Sequence, residues 1–183
     1  YGAAERDPVK MWKTQPHFRT VVSFLARNVA QLGLHTFERV DENDRRRDRE
    51  TAVARTLQYV DGTMTRYDLI YALVGDLALF DRAYWLVVRN GNSPSGWVIR
   101  RLPPNWVEPV YRNVWELKEY RVFGARGESY LTIPPDSILE FRGYDPATVN
   151  GVSPTVDSLW DTLEEQVEAA VYRSSIWKRG GRV

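Results

Sequence analysis

Met64-Thr65-Arg66-Tyr67-Asp68-Leu69 opens a helix, and Tyr84-Trp85-Leu86-Val87-Val88 continues the chain as a strand. Thr65 stands where an N-cap is wanted, Asp68 follows three residues on as a variant capping box, and Met64 and Leu69 occupy the staple positions. Leu69, Ile70, Leu73, Leu77 and Phe80 then recur at helical spacing and line one face. The period changes to β at Tyr84, and Asn90-Gly91 ends that strand with a strong turn signal.

The pattern upstream is helical again. Pro16 suits a first helical turn, and Phe18, Val21, Val22, Leu25 and Val29 form an apolar stripe ending near Gly33. Leu34 to Val40 alternates like a short strand, and a short helix spans about Thr51 to Tyr59. Between them, Asp41 to Glu50 holds nine charged residues and Asn43, which reads as a surface loop or mobile segment. Residues 1–13 are polar and read as a flexible lead-in, leaving 14–183 as a single α+β domain.

Downstream, strands are expected at Trp97 to Leu102, Val107 to Tyr111, Trp115 to Phe123, Tyr130 to Ile133 and Ile138 to Arg142. A turn at Gly124-Ala125-Arg126-Gly127 separates two of them, and Pro103-Pro104 breaks another. Ser153 reads as the cap of a last helix over about 154–178, with Pro154 at its first position. Val156, Leu159, Trp160, Leu163, Val167 and Val171 stripe that helix. The sum is α+β: helices packed on an antiparallel β-meander, with a long C-terminal helix.

With 183 residues, 43% hydrophobic and 27% charged, the chain can build a proper core. Seven Trp and ten Tyr favour large buried contacts or subunit interfaces. A net charge of +1 gives no general pull toward nucleic acid, and zero cysteines exclude disulfides, thiolate metal sites and cysteine nucleophiles. No apolar run approaches the ~20 residues of a membrane span. Tyr1 and Val183 both read as cut ends of something longer.

The residues suited to chemistry are scattered. His17 and His35 fall on separate elements, and Glu164, Glu165 and Glu168 fit a solvated helix face. Asp76 and Asp81 read as an ion pair or a cap, with Arg82 as the partner at hand. Gly91 to Gly96 lies between strands and lacks the lysine and helix of a phosphate cradle. No catalytic, cofactor-binding or metal residue is expected, and the chain reads as non-enzymatic.

Arg45, Arg46, Arg47 and Arg49 are the candidates for a subunit or DNA contact. Asp41, Glu42, Asp44 and Asp48 are interspersed with them, so local neutralisation favours a solvated loop. Lys178 to Arg182 is a basic tail that suits a helix end.

The ordered pieces carry a resemblance. Phe24 to Leu34, Thr65 to Arg89, Arg101-Leu102-Pro103-Pro104-Asn105-Trp106-Val107, Ile133 to Leu139 and Gly151-Val152-Ser153-Pro154 follow one another at matching spacings. This series, from about Met11 to Gly181, resembles the N-terminal half of bacteriophage portal proteins of the HK97 type. One departure is Asp81-Arg82-Ala83-Tyr84, where the family usually carries a Gly-Asn-Ala type sequence before the tyrosine.

The resemblance implies a wing-like fragment whose last helix leads toward the stem, with clip, return stem and crown outside this chain. It implies a structural subunit of a phage or prophage portal ring, usually dodecameric, at the capsid vertex. Such a ring is the channel for DNA packaging and ejection. It docks terminase, meets major capsid and scaffold proteins and head-tail connector proteins, and lets double-stranded DNA pass non-specifically. The place would be the virion, and the bacterial host cytoplasm during assembly. The alternative reading is a non-enzymatic nucleic-acid-binding module that stacks bases on an aromatic β-sheet face.

Overall fold

The computed structural model describes residues 7–124 and 129–179. Helices α1 (Pro8–Thr14) and α2 (Pro16–Gln31) lead into a hairpin of β1 (Thr36–Arg39) and β2 (Arg45–Asp48). Helices α3 (Ala52–Gln58) and α4 (Arg66–Phe80) follow, then strands β3 (Arg82–Arg89) and β4 (Trp97–Leu102). After them come β5 (Val107–Asn113), β6 (Glu116–Phe123), β7 (Tyr130–Ile133) and β8 (Ile138–Arg142), and helix α5 (Thr155–Lys178) closes the chain.

The expected α+β class holds, with the meander resolved into two three-stranded antiparallel sheets. One runs β4-β3-β8 and the other β5-β6-β7. A 3₁₀ turn at Pro104–Trp106 sends the chain out of the first sheet, so Val107 does not resume β4. A second such turn at Pro135–Ser137 returns it, and β8 pairs with β3 from Arg82 opposite Arg142 to Leu86 opposite Ile138. The glycine-bearing turn expected at 124–127 lies largely outside the described residues.

Strand β3 is central, and its period of two sorts its side chains between two cores. Trp85 and Ile99 pack with Leu69, Ile70, Ala30 and Val60 on the helix side. Tyr84 packs with Tyr120, Val122 and Ile138 between the sheets. A third cluster of Met11, Phe18, Val22, Val156 and Leu163 ties α1, α2 and α5 together.

Helix α4 starts as its sequence requires. The Thr65 hydroxyl accepts from the Asp68 N–H at 3.2 Å, and the Asp68 carboxylate accepts from the Thr65 N–H at 3.1 Å. The helix ends at Asp81, the single non-glycine residue with positive φ among those described, at 54°. Its carbonyl accepts from the Gly143 N–H at 2.9 Å, and its carboxylate from the Ser153 N–H at 3.0 Å. A Cβ on Gly143 would lie 1.7 Å from that carboxylate, so glycine is what lets the two turns meet. This knot joins the α4–β3 corner to the approach of α5.

Four expectations change here. The lead-in over 1–13 contains α1, whose Met11 is buried because it faces Phe18 and Val22. Ser153 does not cap α5: the helix starts at Thr155 after Pro154, and the Ser153 N–H is held by Asp81. Asp76 pairs with Arg101 rather than Arg82, at 2.7 and 2.5 Å, because β4 runs alongside α4. The charged run Asp41 to Glu50 is not a loop throughout, since Arg45, Arg46 and Arg47 lie in β2.

Candidate subunit interface

The β1–β2 hairpin rearranges the charges that look mixed along the chain. Phe37 faces Arg47, Glu38 faces Arg46, and Arg39 faces Arg45. Directly opposed residues share a face and alternate residues switch face. Phe37, Arg39, Arg45 and Arg47 therefore share one side with no carboxylate among them. Glu38 and Arg46 occupy the other side with Thr36 and Asp48. All four candidate arginines are exposed, but only Arg45 and Arg47 share a face.

Asp48 does not neutralise this arginine face. Its carboxylate is tied to the turn into α3, accepting from the Glu50 N–H at 3.0 Å and the Thr51 N–H at 3.2 Å. It also accepts from the Thr51 hydroxyl, and these bonds, the hydroxyl's foremost, hold its pKa below the ordinary carboxylate value.

Arg47 instead reaches back along the hairpin, its Nη2 donating to His35 Nδ1 at 2.9 Å. Arg66, half-buried at the start of α4, donates to the Leu34 carbonyl at 3.1 Å. Arg47, Arg49, Arg66 and His35 line a cavity of about 240 Å³. Arg47 first, then desolvation, Arg66 and Arg49 push the His35 pKa below its usual value, so the ring stays neutral at pH 7.

Apolar side chains are also left outside. The stripe expected on α2 is split: Phe18 and Val22 are buried, whereas Val21, Leu25 and Val29 face outward, as do Phe24 and Leu32 beside them. Val21 and Leu25 line an open apolar groove of about 300 Å³ with Leu159 and Leu163 of α5. Beyond Leu163, α5 has no fully buried residue, and Val171, Tyr172 and Trp177 are exposed.

The interior polar groups have structural roles. Burial raises the pKa of Asp76 against the pull of Arg101, the residue that satisfies its carboxylate. Glu140 on β8 accepts from the Tyr120 hydroxyl at 3.0 Å and, more weakly, from Tyr84 at 3.4 Å, linking the two sheets. Burial and Glu140 push Tyr84 up to about 12 and raise Tyr120 as well, so both phenols stay protonated donors. Tyr84, Trp85 and Tyr120 are buried, which removes them from any base-stacking sheet face. Among the described residues no cluster of His, Asp and Glu could hold a metal ion.

A family profile described as phage portal protein matches residues 16–183. The chain belongs to the phage portal protein family. No curated protein matches it. The portal fold is shared with solved particle necks. The neck of an empty GTA particle computed with C6 symmetry superposes with a TM-score of 0.76 at 14% identity, over 95% of this chain and 47% of that one. The neck of the native GTA particle computed with C12 symmetry gives 0.72 at 15% identity, over 95% and 46%. A chain in the virion of the native gene transfer agent gives 0.73 at 14% identity, over 96% and 46%. This portal chain thus spans about half the length of those neighbours.

Two cationic residues of this site lie outside the charged run Asp41 to Glu50. Arg39 reads as part of the alternating strand, and its spacing of two from Phe37 is the signal that puts it on the arginine face. Arg66 reads only as the first residue of α4, and its place beside His35 depends on the α2–α4 packing.

Proposed function

We propose that this chain is the N-terminal, wing-like part of a portal subunit, with α1 to α5 as one α+β domain. The complete subunits would form a closed ring, a dodecamer in the mature particle, at one vertex of a phage or prophage capsid. The ring would serve as the passage for DNA during packaging and ejection. It would dock terminase on one occasion and head-tail connector proteins on another, after assembling with capsid or scaffold proteins in the bacterial cytoplasm. The role is mechanical rather than enzymatic.

The match of the family profile to residues 16–183 carries this reading. The outward-facing apolar residues of α2 and α5 support it, since a closed ring needs two different contact patches on every subunit. Clip, return stem and crown belong to the remaining half of such a subunit, and α5 leads toward the stem. Electron microscopy of the full-length protein tests the proposal: rings with an opening wide enough for duplex DNA support it. Uniform monomers or dimers at assembly concentrations would leave the family fold without the ring function.

A further inference from the structure

Helix α5 carries a feature that complements the hairpin. Asp157, Asp161, Glu164, Glu165 and Glu168 are all exposed, and at 100° per residue they form one continuous stripe. Val156, Trp160 and Leu163 point elsewhere, into the helical cluster, so the stripe is a separate face of the same helix. No basic residue occurs in α5 before Arg173, and Val171 and Tyr172 extend the stripe by a turn.

We propose that the arginine face of the β1–β2 hairpin receives Glu164, Glu165 and Glu168 of α5 from a neighbouring copy of this chain. Four observations carry the pairing. The hairpin places Arg45 directly opposite Arg39, a like-charge pair that weakens an isolated hairpin and is relieved by an anionic partner. The two patches cannot meet within one copy, because α5 packs on the first turns of α2 at Phe18 and Val22 while the hairpin follows its other end. Both patches add an apolar contact, Phe37 on one and Tyr172 on the other. Their separation along α2 gives the two different patches that a head-to-tail ring interface requires.

A protein partner fits better than a nucleic acid. From Thr36 to Glu50 there are five arginines and six carboxylates, so the hairpin as a whole does not attract a uniform polyanion. What the fold supplies is a sorted face, which suits a partner whose charges are equally localised.

The inference rests on the ring reading, and the test separates the two. The full-length protein is prepared as wild type, as Arg45→Glu/Arg47→Glu, as Glu164→Lys/Glu168→Lys, and as a variant carrying both pairs of changes. Ring fraction is measured against concentration by mass photometry, with circular dichroism melts confirming that each folds. Each one-sided variant should need roughly tenfold more protein to form rings, with stronger salt sensitivity lost, and the combined variant should recover most of that. Rings forming equally well in all four would overturn the pairing and leave the ring reading standing. Folded one-sided variants that fail without recovery in the combination would also overturn it. A wild type that forms no rings would end both readings. A hairpin variant that assembles normally but loses affinity for duplex DNA would reassign the arginine face to phosphate.

Discussion

The α4–β3 corner and the β1–β2 hairpin are both rich in charge, and they use it in opposite ways. In the corner, Asp76 has Arg101, Asp68 has the Thr65 cap, and Asp81 has Ser153, so each of these carboxylates is answered within the chain. In the hairpin, Arg39 faces Arg45, and Arg47 reaches only a neutral histidine. Burial forces the pairing of Asp76, since an unpaired charge away from water costs several kcal/mol, while Asp68 and Asp81 are held by the backbone N–H groups of a helix start and a turn. Exposure permits the second, because water solvates like charges that a buried site could not hold side by side.

The sharpest way to break this contrast is Arg101→Met. It leaves the Asp76 carboxylate, whose side chain is 4% exposed, without its partner, and should cost about 3–5 kcal/mol in urea unfolding at pH 7. Asp76 already titrates above its ordinary value, and losing Arg101 raises it further. Protonation then relieves the variant, so its deficit against wild type should shrink as pH falls toward the acidic range. A deficit that grows on acidification would show that another group dominates.

Leu69→Ala against Leu32→Ala compares a packed side chain with an outward one. Leu69 is 1% exposed and its truncation should cost about 2–5 kcal/mol, whereas Leu32 is 77% exposed and should change stability by less than about 0.5 kcal/mol. Equal costs would mean that the α2 face is covered in the isolated chain. Thr65→Ala removes half of a capping box and should cost about 1 kcal/mol, read as a fall in the thermal midpoint.

The smallest effect should have the opposite sign. Arg45→Glu converts the like-charge pair with Arg39 into an attractive one, and should stabilise the monomeric chain by a few tenths of a kcal/mol. The same change should impair ring formation, so stability and assembly part company at this residue. A variant that loses both together would make the hairpin an ordinary structural element.

How much was legible in advance follows the same division. The Thr65 cap, the strand from Tyr84 and the paired return at Trp97 depend on neighbours in sequence, and the structure bears them out. The apolar stripe of α2 was legible as a stripe, but which half would be buried was not. Phe18 and Leu25 are alike to a periodicity argument, and only the arrival of α1 and α5 at the first turns distinguishes them. Asp76 reads from the sequence as an ion pair or a cap, yet its partner lies 25 residues on, in a strand whose position beside α4 no local rule provides.

Sequence by itself therefore determined most of the elements, their order and the family, because capping, turn chemistry and hydrophobic period act over a few residues; α1 and β2 are the exceptions. Tertiary structure alone decided how charge is distributed in space. Read along the chain, Asp41 to Glu50 is a neutralised mixture; folded at a period of two and paired in register, it puts Arg45 and Arg47 on the face of Arg39, with no strand carboxylate on that face. The helix period of α5 likewise turns dispersed acidic residues into one stripe. Net charge is a property of composition, whereas a charged face is a property of geometry, and only a face can select a partner.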